Sequence, residues 1–210
     1  MQKSLIQFKQ YWDDFSCTYQ LDADLSQSIY TYLFHAYIES QRSYHTVQHI
    51  VECLVLFHQI KKLLDQPFLV ELAIWFHDVV YEPQASDNEY QSAVQMQKWC
   101  CSFLTSAQCQ TVFEWILHTQ HHQPSALLDL SYLLDIDLAI LGASFTRFTE
   151  YEQQIQQEYS WVLPEQYTLK RAEVLTKFAK MNPIYQTAYF RHHFEKQAKS
   201  NLQTILSDLY

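Results

Sequence analysis

Apolar side chains recur every three or four residues along most of this chain, the spacing of a buried helical face. Leu5, Phe8, Tyr11, Trp12 and Phe15 mark a first helix over residues 3–18. Leu21-Asp-Ala-Asp24 offers a cap for a second, which runs to about Ser40 on Ile29, Tyr30, Leu33, Phe34 and Tyr37. Arg42-Ser43-Tyr44 breaks the pattern. A third helix is expected from about His45 to about Leu64, and Pro67 opens a fourth from Phe68 to Tyr81. Pro83 to Asp87 reads as a loop, with Asp87 as N-cap of a helix over Asn88 to Phe103. The next runs from Ser106 to about His121 and is ended by Pro124. Ser131 to Leu141 reads as a short helix stopped by Gly142, with a strand over Leu133–Leu138 as the alternative. Ser144 caps a polar helix to about Tyr159, and Pro164 starts another to about Met181. Ile184 to Leu209 closes the chain as one or two helices.

Composition sharpens this pattern. The chain has 210 residues, 48% of them hydrophobic and 16% aromatic, enough for a large core. It has one glycine, Gly142, where sheet proteins need several for hairpins and bulges. The expectation is an all-α, single-domain helical bundle over residues 1–210. A net charge of −9 without a dense Lys/Arg run disfavours a nucleic-acid polymer as partner. Met1-Gln-Lys-Ser-Leu-Ile-Gln-Phe-Lys reads as an amphipathic helix start rather than a signal peptide, and no apolar run is long enough to span a bilayer. Five cysteines without a Cys-x-x-Cys point to a reduced, cytoplasmic protein. The oligomeric state is not legible.

Three stretches carry chemistry. The apolar run Glu71-Leu-Ala-Ile-Trp-Phe-His77-Asp78 ends in an imidazole and a carboxylate, two common ligands for a divalent ion. His45 and His49, four apart in Tyr44-His45-Thr-Val-Gln-His49, share one face if both are helical. They can chelate one metal together, or one can bind it while the other moves protons. In Leu133-Leu-Asp135-Ile-Asp137-Leu, two carboxylates stand within an apolar segment, where burial requires partners or a metal; a capping Asp135 and a surface Asp137 are the alternative. Glu89 can reach metal-held water or simply favour the start of its helix. Arg42 can clamp phosphate or lie on the surface. His118, His121 and His122 fit either a second metal or a polar helix end.

The order His49, His77-Asp78, then Asp135 or Asp137 resembles the HD superfamily of metal-dependent phosphohydrolases over roughly residues 40–142. Tyr44-His45-x-x-x-His49 is similar to a motif of the cyclic-nucleotide phosphodiesterases in that superfamily, with Thr46 where those enzymes have Asn. The chain also resembles an uncharacterised bacterial HD group. That likeness rests on Arg42-x-Tyr-His-Thr-x-x-His, Trp75-Phe-His-Asp-Val-Val-Tyr, Asp87-Asn-Glu-x-x-Ser-Ala93, Asp135-Ile-Asp-Leu-Ala-Ile-Leu-Gly142, Ile184-Tyr-x-Thr and Asn201-Leu. The resemblance implies an all-α HD core with N- and C-terminal helices packed on it. It implies His49, His77, Asp78 and Asp137 as metal ligands, with His121, His122 and Asp135 as additional candidates. Mn, Fe, Co, Ni or Mg would suit such a set. It further implies metal-activated water hydrolysing a small phosphoester or nucleotide, with His45 as general acid, Glu89 assisting and Arg42 on the substrate. An HD-type di-iron oxygenase and a non-catalytic metal-binding regulatory module are the competing readings.

Overall fold

A computed structural model describes residues 2–209, with side chains through residue 207. Every regular element among them is helical. In order these are α1 (Gln2–Thr18), α2 (Ala23–Tyr37), α3 (Val47–Ile60), α4 (Pro67–Phe76), α5 (Asn88–Cys100), α6 (Ser106–Thr119), α7 (Leu128–Asp137), α8 (Phe145–Glu158), α9 (Pro164–Lys180) and α10 (Ala188–Leu209). Short 3-10 turns follow α3 at Lys61–Leu63 and α7 at Leu138–Gly142. The all-α expectation therefore holds, and Leu133–Leu138 is helix and turn rather than strand. No helix among the described residues is long and apolar enough to cross a membrane. The chain divides into two compact units, one running to Gln123 and the other from Pro124.

The first unit is built around α4. Every residue from Leu69 to Phe76 is buried, Glu71 included, as befits a helix apolar on almost every side and enclosed by its neighbours. α1 lays Phe8 and Trp12 edge-on against Trp75, with ring centroids 5.0 and 5.2 Å away. The Trp12 indole also donates to the Ser26 carbonyl and hydroxyl, joining α1 to α2. The Tyr37 hydroxyl of α2 donates to the Trp75 carbonyl at 2.9 Å. Asp22 caps α2 as expected, and Thr105 caps α6 in a reciprocal box with Gln108. Asp87 holds the position before α5 but makes no cap bond; its carboxylate accepts from the Gln91 side chain instead. Cys101 and Cys109 are joined as a disulfide across the α5–α6 turn, their Cα atoms 5.8 Å apart. Cys17, Cys53 and Cys100 are free.

In the second unit α7 is buried from Asp129 to Ile136, and α10 packs against α9 and the turn after α7. Gly142 is not the left-handed helix stop that its position suggests, since its φ is not positive. It is small because α10 passes close by: a Cβ there would stand 2.7 Å from the Phe194 carbonyl oxygen and 2.9 Å from the Tyr185 hydroxyl. Asn201, two turns further along α10, donates to the carbonyls of Leu141 and Ala143 and holds the same turn. The closing helix starts at Ala188 rather than Ile184. Residues 184–187 are pulled out of helical geometry by Glu195, which accepts from the Ile184 and Tyr185 amides, and by Asp135.

Candidate metal centre

Two helix ends meet in the first unit. α3 begins at Val47, two residues later than its apolar spacing suggests, because the Thr46 hydroxyl accepts from the Gln48 amide and caps the helix there. His45 therefore lies in the turn before the helix, and the shared helical face expected for His45 and His49 is not what brings them together. Their ring centroids are nevertheless 6.0 Å apart. α4 ends at Phe76, so His77 and Asp78 stand at its C-terminal end rather than inside it. The turn after them is tied to α5: the Val80 amide donates to the Ser92 hydroxyl, and Asn88 bonds both backbone groups of Glu82.

At this corner three ligand atoms converge. His49 Nε2 lies 3.1 Å from His77 Nε2, His77 Nε2 lies 3.1 Å from Asp78 Oδ2, and His49 Nε2 lies 3.4 Å from the same oxygen. Both imidazoles are buried, and the Asp78 side chain is 16% exposed. The His77 Nδ1 faces the Ile74 carbonyl at 3.0 Å. A carbonyl only accepts, so Nδ1 carries the proton and Nε2 turns a lone pair into the triangle. Burial pushes the Asp78 carboxyl up. When the rings beside it are protonated, the charge of His77 and His45 and hydrogen bonds from His49 and His77 more than offset this and hold it well below the usual carboxylate range. Positive charge is thus what the carboxylate is arranged to receive.

These residues fit a divalent metal. Donors about 2.1 Å from one ion stand about 3.0 Å apart at octahedral angles and about 3.4 Å apart at tetrahedral ones, the range spanned by this triangle. A circle through the three atoms has a radius of about 1.9 Å, so an ion at that distance would cap the triangle's face and keep open positions. The donor set, two imidazole nitrogens and one carboxylate oxygen, suits first-row metals.

His45 is half-buried, stacked on Tyr81 at 4.1 Å between centroids and edge-on to Tyr44 at 4.9 Å. Glu89 is half-buried in the first turn of α5. Arg42 is not the exposed phosphate clamp that its type suggests. Its side chain is fully buried and donates to Glu39 and to the carbonyls of His45, Asp78 and Val79. Asp135 is not a spare ligand either: one oxygen accepts from the Gln186 amide and the other from the amide and hydroxyl of Thr187. Asp137 is the last residue of α7 in the second unit, within electrostatic reach of Tyr151 on α8. His118 and His121 are exposed near the end of α6, and His122 has a φ of 50°. Among the described residues these three join no cluster of ligand atoms. Cys53, overlooked in the sequence, lies one turn beyond His49 with its sulfur 3.8 Å from both ring nitrogens. The i, i+4 spacing from His49 was the available signal. No protein-family model, curated protein or solved structure matches this chain.

Proposed function

We propose that the chain is a metal-dependent phosphohydrolase of the HD type, acting on a small phosphoester or nucleotide. The observation that carries this reading is the convergence of His49 Nε2, His77 Nε2 and Asp78 Oδ2 within 3.4 Å of one another, beside a third, more accessible imidazole, that of His45. A divalent ion held by these three residues would supply Lewis acidity, making water nucleophilic at neutral pH and drawing charge from a phosphoryl oxygen. His77 presents its Nε2 lone pair because Ile74 holds the proton on Nδ1. Asp78 brings the negative charge that selects a cation. His45 keeps one ring face on Tyr81, stays partly open to solvent, and donates a proton to the leaving oxygen. Asp137 as fourth ligand and Glu89 as an assisting carboxylate come from the resemblance to the superfamily. An Asp137→Ala variant assayed for bound metal tests the first.

The decisive experiment is metal analysis of the purified protein, followed by a phosphatase and phosphodiesterase screen with Mn, Co, Ni and Mg. The expected result is about one ion per chain and turnover of at least one small phosphoester. A folded wild-type protein that binds none of these ions would overturn the reading. Stoichiometric metal with no turnover over the panel would leave the regulatory-module reading in its place.

A further inference from the structure

The structure assigns Arg42 a task that its residue type does not announce: resting on the metal-site reading above, we propose that it is a positioning residue that sets the proton donor His45 against the ligand pair His77-Asp78. Four of the five N–H groups of a guanidinium are committed to protein acceptors here. Nη1 spans the two segments by itself, donating to the His45 carbonyl at 3.1 Å and to the Asp78 carbonyl at 2.7 Å. Nη2 adds the Val79 carbonyl at 2.9 Å, and Nε pairs with Glu39 at 3.1 Å. The guanidinium lies between the rings of Tyr37 and Tyr81, 5.2 and 5.6 Å from their centroids.

The physical need is specific. Carbonyls beyond the last turn of α4 have no partner inside the helix and carry the negative end of its dipole. A buried planar cation satisfies the carbonyls of Asp78 and Val79 at once and supplies the complementary charge. The same cation holds the turn that carries His45, and Tyr81, which covers one of its faces, also stacks on the His45 ring. Backbone bonds at 78 and 79 fix where the Asp78 side chain starts. The bond at 45 fixes where the His45 ring starts. A point charge on a flexible stem cannot hold three carbonyls in these directions, so lysine is not an equivalent. Arg42 touches no substrate in this scheme; it acts through His45 and Asp78.

The test uses the full-length protein, the variants Arg42→Ala and Arg42→Lys, Mn(II) as the metal probe, and two substrates, an aryl and an alkyl phosphate ester. The wild type is titrated with Mn(II) first. In folded Arg42→Ala the Mn(II) affinity should fall about tenfold. The rate on the alkyl ester should fall at least tenfold further than the rate on the aryl ester, because only the alkoxide leaving group needs the His45 proton. Added guanidinium ion should restore part of both losses, and ammonium should not. Arg42→Lys should lie between wild type and alanine, which keeps the test open if the alanine variant does not fold. Wild-type Mn(II) affinity with an unchanged aryl-to-alkyl ratio in either folded variant would overturn the positioning role while leaving the metal centre standing. Equal losses on both esters without guanidinium rescue would reduce Arg42 to general scaffolding and also overturn it. Failure of the wild type to bind Mn(II) would remove the metal centre itself, and this proposal with it.

Discussion

Asp78 in the first unit and Asp135 in the second are both aspartates near the end of an apolar helical segment, and they are solved in opposite ways. Asp135 is met by donors: two backbone amides and one hydroxyl, all at 2.7 Å. Burial pushes its carboxyl up to about 6 even against those bonds. Asp78 is met by imidazole nitrogens, which donate or accept according to charge, and its carboxyl is held well below the usual range. A carboxylate whose lone pairs are spent on N–H and O–H groups is an anchor for the segment that supplies them, here residues 186–187 ahead of α10. A carboxylate facing two Nε2 atoms is short of a cation. Hydrogen-bond direction, more than burial or residue type, separates a structural acid from a candidate metal ligand here.

The largest effect should come from exchanging the two acids. Asp78→Asn or His77→Ala should abolish stoichiometric metal binding and lower activity by more than about 10³-fold, with the fold retained by circular dichroism. Asp135→Asn should leave metal per folded molecule unchanged. Metal loss in Asp135→Asn at unaltered melting temperature would break the comparison. His45→Ala sharpens it next, because His45 is an imidazole near Asp78 that the triangle does not include. It should keep its metal, by elemental analysis, and lose about 10²–10⁴-fold in rate, less on aryl phosphates. Metal loss equal to that of His49→Ala would make His45 a ligand.

The anchor has its own measurable cost. Asp135→Ala strands three buried or half-buried donors and should destabilise the protein by roughly 3 kcal/mol in urea unfolding. The smallest effect concerns a third carboxylate, Glu71 on α4, which meets neither solution. Burial pushes it up to about 8; Lys61 lowers it less than burial raises it, and Asp14 adds to the rise. A folded pKa raised above the unfolded value means the folded state holds the proton more tightly. That stability is complete below the unfolded value near 4.5 and is lost as pH rises through about 8. Asp78, with its depressed value, contributes the opposite slope only in acid, whereas Asp135, raised to about 6, adds a smaller loss of the same sign in this window. The melting temperature should therefore be higher at pH 5 than at pH 8.5. Glu71→Gln should remove most of that difference. An unchanged slope in the variant would place the pH dependence elsewhere.

Much of the fold was legible because its signals are local. Apolar spacing, Asp22, Ser144 and the prolines at 67 and 164 act within a turn or two, and each marks a helix near where it occurs. Boundaries shifted, α4 ending five residues before Tyr81, and two shifts had a competing partner: the Thr46 hydroxyl took over the start of α3, and Glu195 and Asp135 held residues 184–187 out of α10. Gly142 was legible as special but for the wrong reason, since its constraint is Phe194 rather than its own φ.

By itself, then, the sequence determined an all-helical chain and the residue types from which a metal centre can be drawn, because helix periodicity and imidazole–carboxylate chemistry are properties of short segments. Only the tertiary structure decided which of those residues face one another. The His49 and His77 nitrogens meet across 28 positions, and Asp135 finds its donors 51 and 52 positions away. Arg42 turns inward because the acceptors it satisfies, at 78 and 79, lie on a different helix end. Whether a polar group becomes a ligand, an anchor or a clamp depends on the partner that reaches it, and that partner is set by packing, which no local pattern encodes.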